Sequence, residues 1–338
     1  MSHILRLDKN ECPYSIPSYI REDVDRALLS VEPNRYPDPS YGDLRQALGD
    51  YVDFSASSIV PGNGGDEILW IIFAAWIKPG DTVLTLNPSF SQYEHMCKVF
   101  KARHLSVPMV FDETAFKVSV DEVAFMRAIK EASPSLILLD SPNNPSGVIL
   151  SDDFIDSVVE NSSCPVIVDE AYGEFASRRY LDRFTAKGLP ERVSVLKTMS
   201  KAWGIAGLRV GYLVTSEKAS RFLNDLRSPF NVNVYSETVA LTLLKNHSWL
   251  EERIKTIVST REKFRESLAE MSRWKTLASE GNFLLVDSPI PGDELVSLLR
   301  DRYAEVKRFA LPWQGDWIRV TVGADDEMNR LLSIMGKL

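Results

Sequence analysis

Lys201 stands in the run Thr198-Met199-Ser200-Lys201-Ala202-Trp203-Gly204-Ile205-Ala206-Gly207-Leu208-Arg209-Val210-Gly211. A lysine just past a strand is ordinarily a solvated one, so its setting has to single it out. An amine that forms a Schiff base must be neutral and accessible, which burial or neighbouring cations favour. Ser200 and Arg209 bring a hydroxyl and a fixed planar cation, both suited to a phosphate ester. The glycines allow tight turns beside a ligand.

Other segments offer complementary chemistry. Asp169 follows the apolar run Val166-Ile167-Val168, with Tyr172 three residues on. A carboxylate there could keep a pyridinium nitrogen protonated, so that the ring acts as an electron sink, or it could simply cap a helix. Tyr172 could donate to a phenolate oxygen on the same ring. In Ser141-Pro142-Asn143-Asn144-Pro145-Ser146-Gly147, prolines flank two asparagines. That pattern reads as a generic turn or as a rigid mount for the Asn144 amide. Pro61-Gly62-Asn63-Gly64-Gly65-Asp66-Glu67 opens an apolar helix, and backbone N–H groups at a Gly-rich helix start suit a phosphate. Asp66 and Glu67 could equally complement the helix dipole. Tyr93 could stack on an aromatic ring, although an aromatic at such a place is more often core.

The elements that must carry these residues are short apolar runs alternating with amphipathic stretches. Strands are expected at Val83–Leu86, Leu136–Leu139, Val166–Val168, Val193–Leu196 and Arg209–Val214, with helices over 90–102, 119–132 and 151–161. Strands apolar throughout and separated by helices predict a largely parallel sheet covered on both faces, with ligands beyond the carboxyl ends of the strands. Asn143, Asn144, Asp169, Tyr172, Ser200 and Lys201 fall at such ends. From about residue 230 the pattern changes to a long charged helix over 235–272, broken near Asn246-His247-Ser248. A strand over 282–286, a helix over 292–302 and a strand over 317–322 follow, which predicts a smaller α/β lobe.

Composition agrees with a globular enzyme-sized chain. The 338 residues are 44% hydrophobic and 25% charged, enough for two domains without disulfides or structural metals. A net charge of −8 with no basic stripe argues against nucleic acid or an anionic membrane as partner. Cys12, Cys97 and Cys164 have no paired spacing, and His3, His95, His104 and His247 are scattered, so no metal site is expected. The apolar run Ile68–Ile77 is too short to span a bilayer, and the charged N-terminus does not read as a secretory signal. A cytoplasmic protein is expected.

Taken together and in this order, the segments resemble the class I/II aminotransferases of the fold-type-I superfamily dependent on pyridoxal 5′-phosphate (PLP), and among them the histidinol-phosphate aminotransferase family. The resemblance runs from Lys9-Asn10-Glu11 to Arg319-Val320-Thr321-Val322-Gly323, and SKAWGIAGLRVGY and SPNNPSG are its most specific pieces. It implies an α/β fold with a large PLP-binding domain over 30–230, and an N-terminal arm over 1–29 with a small domain over 231–338. It further implies that Lys201 forms the internal aldimine, that Asp169 pairs with the pyridinium, and that Asn144 and Tyr172 contact the ring oxygen. Tyr93 would stack on the ring, and Gly64, Gly65, Asp66, Ser200 and Arg209 would surround the phosphate. Arg319 would hold a substrate carboxylate, Arg308 a substrate phosphate, and Tyr14 would touch substrate. Tyr36, in Asn34-Arg35-Tyr36-Pro37, would reach the neighbouring subunit's cofactor phosphate, implying a homodimer with shared sites.

The sequence departs from the family at Cys12, where asparagine is common, at Ser15-Ile16-Pro17, and in the loosely matching stretch after Arg308. The expected reaction is transfer of an amino group from histidinol phosphate or an aromatic amino acid to 2-oxoglutarate. Lys201 would act as general base and acid in a ping-pong cycle. A threonine-phosphate decarboxylase on the same scaffold, or a PLP-binding regulator without turnover, are the competing readings.

Overall fold

The computed structural model describes residues 4–185 and 188–338; His3 and the start of the expected arm lie outside the described residues. The chain opens with β1 (Leu5–Arg6), α1 (Ser18–Leu29) and α2 (Gly42–Val52). A seven-stranded sheet then forms from β2 (Ile59–Gly62), β3 (Thr82–Asn87), β4 (Arg103–Pro108), β7 (Leu136–Asp140), β8 (Val166–Asp169), β9 (Val193–Thr198) and β10 (Gly211–Val214). Between β4 and β7 lies a small hairpin, β5 (Val110–Asp112) and β6 (Lys117–Ser119). The strand order is β2-β10-β9-β8-β7-β3-β4, and only β10 runs against its neighbours.

Alternation along the strands builds two cores. Ile137, Leu139, Val166 and Val168 pack on one face of the sheet with Leu44 and Leu48 of α2, Phe125 of α5 (Glu122–Ala132) and Phe154 of α6 (Asp152–Asn161). Leu136, Leu138 and Ile167 pack on the other with α3 (Gly65–Trp76) and α4 (Ser91–Val99). Side chains of strands in such a sheet are buried on both faces, which is why these runs show no polar alternation. Asp121 and Ser151 cap α5 and α6 by accepting from Ala124 N and Phe154 N, as short oxygen-bearing side chains do at helix starts.

After α7 (Glu217–Leu226), the helical stretch divides into α8 (Val234–Lys245) and α9 (Ser248–Glu270), broken at Asn246-His247 as the sequence predicts. A four-stranded antiparallel sheet follows, in the order β11-β12-β15-β14. Its strands are β11 (Lys275–Thr276), β12 (Phe283–Ser288), β14 (Lys307–Phe309) and β15 (Asp316–Thr321), and the intervening β13 (Ala304–Glu305) pairs with β1. Leu284, Val286, Ile318 and Val320 face α9, α10 (Gly292–Arg300) and α11 (Asp325–Met335), whereas Phe283, Leu285 and Trp317 join the core of the large sheet.

Two expectations are corrected. The helix over 90–102 ends at Val99, because Lys101 takes a left-handed backbone (φ 55°) and turns the chain into the unforeseen edge strand β4. The strand expected from Arg209 begins at Gly211. Arg209 itself is left-handed (φ 54°), after a single turn at Ala206–Leu208. No helix among the described residues is long and apolar enough to cross a membrane.

Candidate active site

Two adjoining cavities open at the carboxyl ends of the parallel strands, and Phe90, Asn144, Tyr172 and Lys201 line both. The inner one is floored by Asp140 and Asp169, the last residues of β7 and β8, and walled by Thr198, the last residue of β9, and Ser200 just after it. The outer one is bounded by Asp8, Ser89, Lys307, Phe309 and Arg319.

At one end of the inner cavity lies an anion cradle. Arg209 reaches Ser200 Oγ (3.4 Å) and pairs with Asp66 (3.1 Å) at the start of α3. Gly64 caps that helix with φ 84°, and a Cβ there would come within 2.5 Å of the Arg209 guanidinium. Glycine is thus required twice, by its backbone and by the close approach. The first N–H groups of α3 have no partner within the helix, and Gly65 and Asp66, which carry the first of them, line this end of the cavity.

On the floor, Asp169 accepts from Tyr93 Oη (2.8 Å) and Ala171 N (3.0 Å). Burial pushes its carboxyl up to about 6, against the pull of those two donors. Asp140 accepts from Asn143 Nδ2 (3.0 Å) and Asn144 N (2.9 Å), and burial pushes it up to about 7. Neither carboxylate forms an ion pair with a Lys or Arg among the described residues, so the floor lacks a cation of its own.

Over the floor, Tyr172 Oη accepts from Asn10 Nδ2 (2.9 Å) and Asn144 Nδ2 (3.3 Å), which leaves its own proton for a ligand. The Asn144 amide is oriented from its other end, since Arg319 Nη1 donates to Asn144 Oδ1 (2.7 Å). Arg319 also donates to Asp8 O (2.5 Å), while its buried Nε has no partner among the described residues. Lys201 Nζ donates to Lys9 O (3.0 Å) and sits 5.7 Å from the Tyr172 ring centre. Burial, helped by the charges of Arg319 and Arg209, lowers this amine to about 8.

Lys201, Asp169, Tyr172, Asn144, Gly65, Asp66, Ser200, Arg209 and Arg319 are therefore gathered round the two cavities, with Gly64 behind Arg209. Three expected contacts are not made. Tyr93 lies behind the floor with no exposed surface, bonded to Asp169, and the aromatic ring at the cavity wall is Phe90, at the start of α4. Arg308 lies on the wrong face of β14. It pairs opposite Ile318, whose side chain faces the helices, and bonds Asp293 (3.0 Å). Its neighbour Lys307 pairs opposite Arg319 and lines the outer cavity, as strand alternation requires. Tyr14 lines a separate depression with Trp249 and Arg253. Tyr36, 80% exposed, stacks on Phe230 at 4.4 Å and does not line its own chain's cavities.

Sequence reasoning passed over Asp140, Asn10 and Lys307. Asp140 carried the same signal as Asp169, a carboxylate closing an apolar strand. Asn10 carried none beyond its place in the arm, yet its left-handed backbone (φ 55°) aims it at Tyr172.

Residues 2–334 match the family described as Aminotransferase class I and II. The chain belongs to that family. Membership brings the enzyme class, a transferase of amino groups that works with pyridoxal phosphate, and the site fits this group. Two buried carboxylates without a cation suit a protonated ring nitrogen, and Arg209, Ser200 and the start of α3 suit a phosphate. Among relatives of this aminotransferase is the histidinol-phosphate aminotransferase of Caldanaerobacter subterraneus subsp. tengcongensis, 34% identical over 98% of this chain and 92% of the relative. That of Clostridium novyi is 32% identical over 96% and 88%. The histidinol-phosphate aminotransferase of Sinorhizobium meliloti, solved with pyridoxal 5′-phosphate, superposes with a TM-score of 0.89 at 22% identity, covering 99% of this chain and 91% of that one. An L-threonine-O-3-phosphate decarboxylase from Porphyromonas gingivalis shares the fold (TM-score 0.84, 19% identity, 99% of both chains).

Proposed function

We propose that this aminotransferase takes its amino group from a donor bearing a dianionic phosphate, of the histidinol-phosphate kind, and passes it to 2-oxoglutarate. The observation that carries the reading is the pair Lys307 and Arg319, opposite each other on β14 and β15 and both facing the outer cavity beside Lys201. Like charges directly opposite in a sheet destabilise it, and a dianionic phosphate beside them, or the carboxylates of 2-oxoglutarate, offsets the repulsion. Lys307 thus takes the role first expected of Arg308.

Pyridoxal phosphate supplies the electron sink that lets a proton leave the donor's Cα. Asp169 holds the proton on the ring nitrogen, Tyr172 and Asn144 engage the ring oxygen, and Arg209 with Ser200 holds the phosphate. Lys201 Nζ is the amine that carries the cofactor. Once released, it moves the proton from the donor's Cα, a task suited to an amine near 8 rather than an ordinary lysine. Arg319, whose Nε has no partner among the described residues, joins Lys307 in holding the donor's phosphate and takes the α-carboxylate of 2-oxoglutarate in the other half-reaction. The exposed Tyr36 suits a contact with a second copy's cofactor phosphate, in a homodimer.

The test is a panel of donors with 2-oxoglutarate as acceptor: histidinol phosphate, phenylalanine, tyrosine and threonine phosphate. Glutamate formation is expected to be fastest with histidinol phosphate. Preference for an aromatic amino acid would overturn the phosphate reading, and carbon dioxide release from threonine phosphate would replace transamination by decarboxylation.

A further inference from the structure

The floor of the inner cavity holds one carboxylate more than a ring nitrogen needs. Asp140 and Asp169 are register partners on the parallel strands β7 and β8. Their Cα atoms are therefore about 4.8 Å apart and their side chains leave the same face of the sheet. Both line the cavity, and they are only 3% and 6% exposed. A buried carboxylate is costly without a counter-charge, and two side by side more so.

Asp140 does not use its oxygens on the cavity. Oδ1 accepts from Asn143 Nδ2 and Oδ2 from Asn144 N, so the carboxylate ties the Ser141–Gly147 turn to the end of β7. The tie has reach, because Asn143 Nδ2 also donates to Pro88 O (2.9 Å), next to the wall residues Ser89 and Phe90. Asn144 in turn bridges Tyr172 and Arg319. A serine or asparagine could close such a turn without placing a charge beside Asp169. The charge calls for a second purpose.

We propose that Asp140 is a positioning residue for the cofactor: it fixes Asn144 for the ring oxygen, and its negative charge reinforces Asp169 in holding the ring-nitrogen proton. Asp169 makes the contact with the ring, and Asp140 acts through Asn144 and through the field one strand away. The inference rests on the cofactor and not on the choice of amino donor, so a failed donor panel leaves it standing.

Asp140→Asn tests it. The substitution keeps the shape, removes the charge and leaves one acceptor where two are used. Two readouts need no substrate: the dissociation constant of pyridoxal phosphate by equilibrium dialysis, and the pH midpoint of the bound cofactor's visible absorbance. Loss of a charge-assisted hydrogen bond predicts cofactor binding weakened roughly tenfold or more. Loss of a nearby negative charge predicts a midpoint lower by about one pH unit. A folded variant whose midpoint stays put or rises overturns the proposal, whatever its melting temperature does, because a purely structural tie leaves the proton affinity of the cofactor unchanged. If Asp140→Asn does not fold, Asp140→Ser, with room for a bridging water, is read in the same way. If neither folds, Asp140 is a folding residue and the proposal falls.

Discussion

Replacing Lys307 and Arg308 one at a time sets strand geometry against chain proximity, since the two cations are neighbours in sequence and point to opposite faces. Lys307→Ala removes the amine from the outer cavity and leaves Arg319, its cross-strand partner, in place. A hydrogen bond between charged groups contributes about 1.5–3 kcal/mol, and Lys307 is exposed, so solvent screening selects the low end. About 1.5 kcal/mol corresponds to roughly a tenfold rise in KM for a phosphorylated donor. The expected kcat is unchanged, because Lys307 holds the donor's phosphate and does not act on the reacting Cα. Unphosphorylated donors should shift less than about twofold. Arg308→Ala removes ion pairs to Asp293 and Asp316 on the far face, both solvent-exposed, so activity on every donor should hold and stability fall by under about 1 kcal/mol. Steady-state kinetics on the two variants with a phosphorylated and an unphosphorylated donor decides the matter. An Arg308→Ala enzyme with raised KM beside an unimpaired Lys307→Ala enzyme would refute the assignment of faces.

Other consequences can be measured directly. With Lys201 lowered to about 8, the rate at which cofactor-free protein takes up pyridoxal phosphate covalently should climb through pH 8 and level off above it; a climb centred near the ordinary lysine value of about 10.4 would contradict the lowered amine. Tyr93→Phe deletes the donor to Asp169 Oδ2, so denaturant unfolding should show a loss of about 1 kcal/mol, with cofactor affinity reduced; unchanged affinity would mean that Asp169 needs no support from behind. In the cofactor-free protein, Asp140 is pushed up to about 7 when folded, against about 3.9 unfolded, so the folded state binds the extra proton between those values. Its contribution to stability is full below the unfolded value and is lost as pH rises through 7. The melting temperature of Asp140→Asn relative to the parent should therefore improve from pH 5 to pH 8, and a decline over that range would show a carboxylate already ionised and stabilised.

Much of the site was legible because its residues close apolar runs. Leu136–Leu139, Val166–Val168 and Val193–Leu196 each end in polar residues, and adjacent parallel strands bring Asn144, Asp169 and Lys201 together. Rotation and register were not legible. Phe90 and Tyr93 are three residues apart, but Phe90 still has an extended backbone at the helix start, and only Tyr93 turns inward on α4. Lys307 and Arg308 exchange faces with a slip of one residue, and the polar stretch that follows gives no apolar pattern to pin β14. β4 escaped notice because it is an edge strand, partly exposed along its length. Arg209 reads as strand by composition, and its left-handed turn follows from the approach of Gly64 and Gly211, which no local pattern records.

The division of labour between the two sheets has a bearing on how such an enzyme diversifies. The cofactor floor belongs to the seven-stranded sheet, whereas Lys307, Phe309 and Arg319 belong to a hairpin of the smaller one. A single-residue insertion or deletion between Tyr303 and Lys307 would trade the side chains that β14 presents, leaving Asp140, Asp169 and Lys201 untouched. A lineage can change its donor by shifting one short strand, while the chemistry is inherited intact.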